Sequence, residues 1–313
     1  MRRMRGVALI IALVVVALAT ILAARIGAQA ALDQRRGTAL LTQQQAFQVA
    51  LGAEAWAIEV LRDDADHSTQ DSLDEAWATP VTLPIDGGTL QGQLEDMQGR
   101  FNLNNLVKAD GTRNDVAVEQ FQRLLARLEL EPKWASLMLD WIDADSVADG
   151  VDGAEDGFYT GQQPPYRTSN RPITSTSELL ALPGFGTERY RRLQPYVAAL
   201  PPGTALNVCT APGIAVDALA PGLDRFGQDA KQLAANREKG CFPRTTDVQA
   251  ALQSLFAKPE QMQQVMAGVS NSSKWFRATT VVSLGTTELT LYSLIERNPG
   301  HYGRVVLRTL GTE

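Results

Sequence analysis

From Val7 to Ala24 the chain carries no charged residue, and Arg25 closes the run. A helix that crosses a bilayer needs roughly 20 apolar residues at about 1.5 Å each, so this stretch is long enough to span one. Arg2, Arg3 and Arg5 stand just before it. Basic flanks stay on the cytoplasmic side, which sends the bulk of the chain outward. Three processing routes fit such a start. A cleaved secretory signal would use Ala28-Gln29-Ala30 as an A-x-A-like site, but its apolar core is usually only about 7–15 residues. An uncut signal anchor is the second. The third is a short basic leader cut after Gly6, before Val7, which leaves the apolar helix on the mature protein. Gly6 abuts the apolar run directly, and this route fits best.

Composition narrows the function classes. The chain has 313 residues, enough for one large or two modest domains with real cores. It is 44% hydrophobic and 20% charged, as in ordinary globular proteins. A net charge of -6 gives no electrostatic footprint for nucleic acid or for an anionic membrane face. The two cysteines, Cys209 and Cys241, form no C-x-x-C metal pair. In an oxidising compartment they can join; in a cytosol they would be two thiols.

Beyond the apolar run, residues 26–63 contain no proline, and Leu32, Leu40, Phe47, Leu51 and Ile58 recur at roughly helical spacing. The membrane helix is therefore expected to continue as an amphipathic one. The Gly6 junction, this long spine and the segment from Gln45 to Trp56 resemble the minor pseudopilin K family of type II secretion. Most pilin-like proteins carry Glu at the fifth position after the cleaved glycine. Here that position is Ile11, and an apolar residue there is a feature of the K family. A buried carboxylate in lipid is costly unless paired, and a subunit with no neighbour ahead of it has no pairing amine.

The resemblance covers essentially the whole chain and implies an α+β fold. A pseudopilin sheet (63–106 and 271–313) would follow a leader (1–6) and a spine (7–62, with 7–24 in the bilayer). A large all-α insertion with helix-hairpin-helix character (107–270) would interrupt that sheet. The residues read the same way. Leu90–Asp96 and Arg100–Asn104 look like two strands turned at Gln98-Gly99, and Trp275–Leu284, Thr287–Ile295 and Tyr302–Leu310 look like three more. Between them, residues 115–141 have helical periodicity broken by Pro132.

Two stretches in the insertion rhyme. Ser177–Gly186, followed by Tyr190 and Leu193, matches a helix-hairpin-helix core, and Asn207–Pro212 resembles the N-x-N-T-A entry to one. Cys209 replaces the usual Asn of that entry, a departure that points to a disulfide with Cys241. Arg189, Arg191 and Arg192 after the Pro-Gly-x-Gly turn invite a phosphate-binding reading. Glu188 at the turn and the acidic surroundings favour plain packing instead, so no nucleic-acid partner is expected.

Carboxylates crowd the stretch from Asp140 to Gly157. Ca²⁺ takes 6–8 oxygens from irregular loops of this kind, although the spacing is not that of an EF-hand. A solvated acidic loop is the alternative reading. The segment also resembles the family's calcium-binding stretch, which makes Asp140, Asp143, Asp145, Glu155 and Asp156 the expected ligands, ahead of Asp149 and Asp152. A metal-dependent hydrolase would draw ligands from several separated elements, whereas these come from one loop. His67 and His301 sit in turn-like contexts and no Ser or Cys has a local base, so catalysis is not expected.

By resemblance the chain is a structural subunit at the tip of a periplasmic pseudopilus that exports folded exoproteins. It would be anchored in the inner membrane by one pass, with its N-terminus cytoplasmic and its bulk periplasmic. Its implied partners are the I, J and H types of minor pseudopilin, the inner-membrane assembly platform and exoproteins. Prepilin peptidase would cut after Gly6 and N-methylate Val7. The alternatives are periplasmic DNA uptake through the hairpin and a metallo-hydrolase.

Overall fold

The structure, a computed structural model, describes residues 4–298 and 303–311. Met1, Arg2 and Arg3 of the leader lie outside the described residues, as do His301 and Tyr302, on which two expectations fell. Helix α1 runs from Met4 to His67 as one unbroken rod of 64 residues. At 1.5 Å per residue it is about 95 Å long. Its most apolar window has a mean hydropathy of 3.1 and is not buried by any other part of the chain. The helix passes Arg62 and ends at His67, since no Pro or Gly intervenes.

Strands β1 (Val81–Ile85) and β2 (Gly88–Asp96) follow, then a two-residue strand β3 (Phe101–Asn102). Next come α2 (Asp115–Arg127), α3 (Trp134–Ile142), α4 (Asp156–Tyr159) and α5 (Gly186–Leu193), closed by β4 (Val197–Ala198). A second run holds β5 (Leu206–Asn207), α6 (Gly213–Asp217), α7 (Ala230–Arg237), α8 (Thr245–Gln253), α9 (Pro259–Met266) and β6 (Val269–Ser270). The chain then returns as β7 (Trp275–Leu284), β8 (Thr287–Glu296) and β9 (Arg304–Leu310). The main sheet has the order β1-β2-β7-β8-β9, and every neighbouring pair is antiparallel. The fold is α+β, with mixed helices lying between β2 and β7.

One expected hairpin is corrected. Residues 100–104 do not pair with β2; the hairpin partner of β2 is β1, turned at Asp86-Gly87. Pro84 argues against a central strand, but β1 is the outermost strand, where a missing N–H is tolerated. After β2 the Asp96 carboxylate accepts from the Gln98 N–H and tightens Met97–Gly99 into a 3-10 turn that peels the chain off the sheet. Gly99 has to be glycine, because a Cβ there would lie 2.7 Å from Thr210 Oγ1. Phe101–Asn102 then pairs in parallel with β4, and β5 pairs in parallel with β6.

The spine lies on one face of the sheet. Ala46 and Ala50 are fully buried against Leu90, Val282 and Leu291, and Leu61 packs with Trp77, Phe276 and Ile295. Small residues let the helix sit close, and each large side chain buried contributes about 1.5–3 kcal/mol. Glu54, only 4% exposed, accepts from Arg308 Nε and Nη2, both at 2.8 Å, and from Ser293 Oγ at 2.5 Å. It pins the spine to β8 and β9. The helical part has two cores, one around Phe121, Leu124, Met138 and Tyr159, the other around Val216, Phe226, Val248 and Leu252.

Candidate functional site

The acidic loop grows out of the end of α3. Leu137, Leu139 and Ile142 are buried, which fixes the helix and turns Asp140 and Asp143 into a buried setting as well. Asp143, Asp145 and Glu155 can bring carboxylate oxygens within 4.8 Å of one another. Asp143 Oδ1 and both oxygens of Glu155 are buried without a hydrogen-bond partner. Burial, and then the neighbouring carboxylates, raise both Asp143 and Glu155 to about 7. Clustered anions with orphan oxygens are an arrangement that a hard divalent cation relieves. The donor set fits Ca²⁺.

The other expected ligands have different surroundings. Asp140 accepts from the backbone N–H of Asp149 at 3.0 Å and of Ala154 at 2.6 Å, so it braces the loop from inside. Burial still lifts it to about 6. A Cβ at Gly153 would collide with the same Asp140 carboxylate, which explains a glycine there. Asp156 accepts from the Thr168 N–H and hydroxyl, at 3.1 and 2.9 Å, and faces Arg167. Asp149 pairs with Arg113 just before α2, while Asp152 is exposed. Tyr159, fully buried beside this loop, has an unpaired hydroxyl.

Cys209 and Cys241 are joined as a disulfide. Asn207 sits two residues before Cys209 and its side chain accepts from the Cys209 N–H. Its amide donates to Asp96 Oδ2 at 2.8 Å, to the Asp71 carbonyl at 2.9 Å and to Ser273 Oγ at 3.0 Å. Asp96 also accepts from Thr210 and Ser273 hydroxyls. The chain leaves the sheet at Asp96 and re-enters it near Ser273, so this buried knot ties both crossings to the insertion. Burial raises Asp96 to about 6, against four hydrogen bonds that pull it down. Asp64, Asp71 and Glu75 form a second acidic group nearby, filled by Arg297, which lies 2.9 Å from Asp64 and 2.6 Å from Asp71. Sequence reading missed both junction features, since their members are spread over residues 64–297. Periodic or local spacing leaves no trace of them.

The hairpin turn is a packing device here. Its first helix is a 3-10 segment, Thr176–Ala181, and Gly184 and Gly186 carry the turn at φ of 83° and 74°. Arg189 donates to the Gly184 and Phe185 carbonyls and to Glu131, and Arg192 donates to the Leu128 carbonyl and to Glu129. These cations are engaged within the chain.

The family model for type II secretion system protein K matches residues 99–202, which include the acidic loop and the hairpin. The type II secretion system protein K of Pseudomonas aeruginosa is 36% identical over 99% of this chain and 94% of its own length. The chain belongs to the type II secretion system protein K family. A relative of the same name from Aeromonas hydrophila is 33% identical over 95% of this chain and 94% of that protein. A solved structure, the GspK-GspI-GspJ complex from the enterotoxigenic Escherichia coli type 2 secretion system, matches with a TM-score of 0.76 and 25% identity. That match covers 89% of this chain and 100% of the solved one. The K family consists of minor pseudopilins, structural components of a protein-transport machine and not enzymes. The exposed apolar part of α1 fits a single-pass anchor in such a protein.

Proposed function

We propose that this K-family chain caps the tip of a periplasmic pseudopilus and starts its assembly for export of folded exoproteins. The observation that carries the reading is the rod-like helix α1, apolar and bare at one end and bearing a sheet at the other. A body of this shape works as a filament subunit. Ile11, exposed on the apolar rod, gives no carboxylate for a subunit ahead to pair with. Its partners are the I and J types of minor pseudopilin, as in the complex of the similar solved chain, and the H type. It sits in the inner membrane with its bulk in the periplasm, held by the assembly platform and close to exoproteins. Prepilin peptidase cuts between Gly6 and Val7 and methylates Val7.

The parts follow from this role: leader 1–6, spine 7–62 with 7–24 in the bilayer, head 63–106 and 271–313, insertion 107–270. Within the insertion Asp143, Asp145 and Glu155 hold Ca²⁺, with Asp140 and Asp156 ordering the loop around it. The bound ion supplies structural cross-linking only. Mass spectrometry of the membrane-extracted protein tests the reading. The mature chain should begin at N-methylated Val7, and Gly6→Val should insert in the membrane without restoring export to a strain that lacks the chain. A mature start at Ala31, or full export with Gly6→Val, would overturn it.

A further inference from the structure

Arg237, in the last turn of α7, is 7% exposed and has no ion-pair partner among the described residues. A buried cation without an anion is costly unless other groups replace its lost water. Here four backbone carbonyls do so. Nε donates to the Phe242 carbonyl at 2.7 Å and Nη1 to that of Thr210 at 3.3 Å. Nη2 donates to the Val208 carbonyl at 3.0 Å and to the Ala211 carbonyl at 2.5 Å. Burial brings the group down to about 10, so it keeps its charge at neutral pH.

These carbonyls belong to two segments of chain. Val208, Thr210 and Ala211 surround Cys209, and Phe242 follows Cys241. The guanidinium therefore joins the same two segments as the disulfide, whose cysteines are 32 residues apart in sequence. Both cysteines are buried, so the two closures lie inside the insertion. A planar fork suits such a bridge, because its N–H groups point in fixed and different directions. Lys, with one nitrogen on a flexible stem, cannot serve both segments in this way. A tight turn, closed by the Gly240 N–H on the Arg237 carbonyl at 3.3 Å, leads from Arg237 to Cys241. Fixing the guanidinium on the Cys209 segment thus also fixes where Cys241 stands.

We infer that Arg237 is a second, redox-independent closure of the Cys209–Cys241 junction and keeps the two thiols in register when the disulfide is reduced. Its hydrogen bonds need no oxidant, so reduction removes the covalent bond without opening the loop. When an external disulfide is present, one cysteine thiolate attacks it and expels half of it as a thiolate. The other cysteine thiolate then attacks the mixed disulfide and expels the second half. The cysteine pair gives up two protons and two electrons, and the external disulfide becomes two thiols. Thiols held in register have a high effective concentration, which favours the internal bond over mixed disulfides.

The test uses the full chain in detergent, with hydrogen exchange of residues 230–243 read by mass spectrometry in the oxidised and the reduced state. In wild type, reduction should speed this exchange by no more than about threefold. Exchange at the rate of an unfolded chain after reduction would overturn the inference, and this arm needs no variant. Arg237→Lys keeps the charge and loses the fork. While oxidised it should exchange nearly as wild type does; once reduced it should exchange about tenfold faster than reduced wild type. An equal effect of the substitution in both states would show that neither closure covers for the other, and would overturn it. Equilibration with glutathione and its disulfide reads the effective concentration of the thiol pair, which should fall about tenfold in Arg237→Lys. Lys239→Gln, which removes an exposed cation two residues away, should leave that value at the wild-type level. An unchanged value in Arg237→Lys, or an equal fall in Lys239→Gln, would overturn the positioning role.

Discussion

Among the described residues, two clusters of three carboxylates can each gather oxygens within 4.8 Å: Asp64, Asp71 and Glu75 at the junction, and Asp143, Asp145 and Glu155 in the acidic loop. At the junction every anion has a donor from the protein. Arg297 reaches both Asp64 and Asp71, the Ser273 N–H reaches Asp71, and the Ser72 N–H and Trp77 indole reach Glu75. In the loop, Asp143 Oδ1 and both oxygens of Glu155 reach none. The junction is thus satisfied within the fold, while the loop keeps three carboxylate oxygens without a protein donor. Charge density is alike in the two clusters; the supply of internal donors is what differs.

Removing Arg297 should give the largest effect. Arg297→Ala strands Asp71, which is 1% exposed, and breaking a buried pair from one side costs about 3–5 kcal/mol. Urea denaturation should show that loss, and adding Asp71→Asn should recover part of it. A loss below about 1 kcal/mol would mean that the junction is not the self-satisfied partner in the comparison.

The disulfide comes next, since Cys209 adjoins Asn207 in the same knot. Cys209→Ser with Cys241→Ser should cost about 2–4 kcal/mol by freeing the unfolded loop. Free thiols on both residues in unreduced, alkylated protein would remove it from the account of the junction.

Calcium is the direct probe of the unfinished cluster. Ca²⁺ at a hundredfold excess over Kd should add about 2.7 kcal/mol of stability, and Mg²⁺, with its stricter octahedral demand, clearly less. Asp143→Asn with Glu155→Gln should abolish that increment. Because the pair also removes repulsion, the calcium-free variant should be at least as stable as calcium-free wild type. The Asp64 and Asp71 cluster should respond to neither ion. Equal stabilisation of wild type and variant would leave the loop as a solvated surface.

The smallest effect is on pH. Asp96 is an acid raised in the fold from 3.8 to about 6 by burial. Its contribution is fully present below the unfolded value and is lost as pH rises through about 6. Between pH 7 and pH 5 wild type should therefore gain roughly 1 kcal/mol relative to Asp96→Asn, which has no proton to bind. Parallel stability profiles for the two would show that Asp96 stays charged in its four hydrogen bonds.

The spine, strands β7 and β8 and the split of α2 from α3 at Pro132 were legible in sequence, because each rests on periodicity or a breaker within about twenty residues. The hairpin at β1 was not, since Pro84 lowers strand propensity and only its place at the sheet edge makes it harmless. The Asp143, Asp145 and Glu155 grouping could be suspected from local spacing, whereas the hydrogen bonds of Asp140 to the loop backbone and of Asp156 to Thr168 could not, since they depend on how the loop folds back.

What the linear order of residues decided by itself is a membrane-length apolar helix, two cysteines beyond it and an acid-rich loop; these depend on local composition and hold in any packing. Tertiary structure alone decided which acids find donors and which strand clamps the spine. Arg297 meets Asp71, and Arg308 meets Glu54, across more than 200 residues of chain. Such pairs depend on how strands stack across space, and burial then determines whether a charge is answered or left wanting an ion.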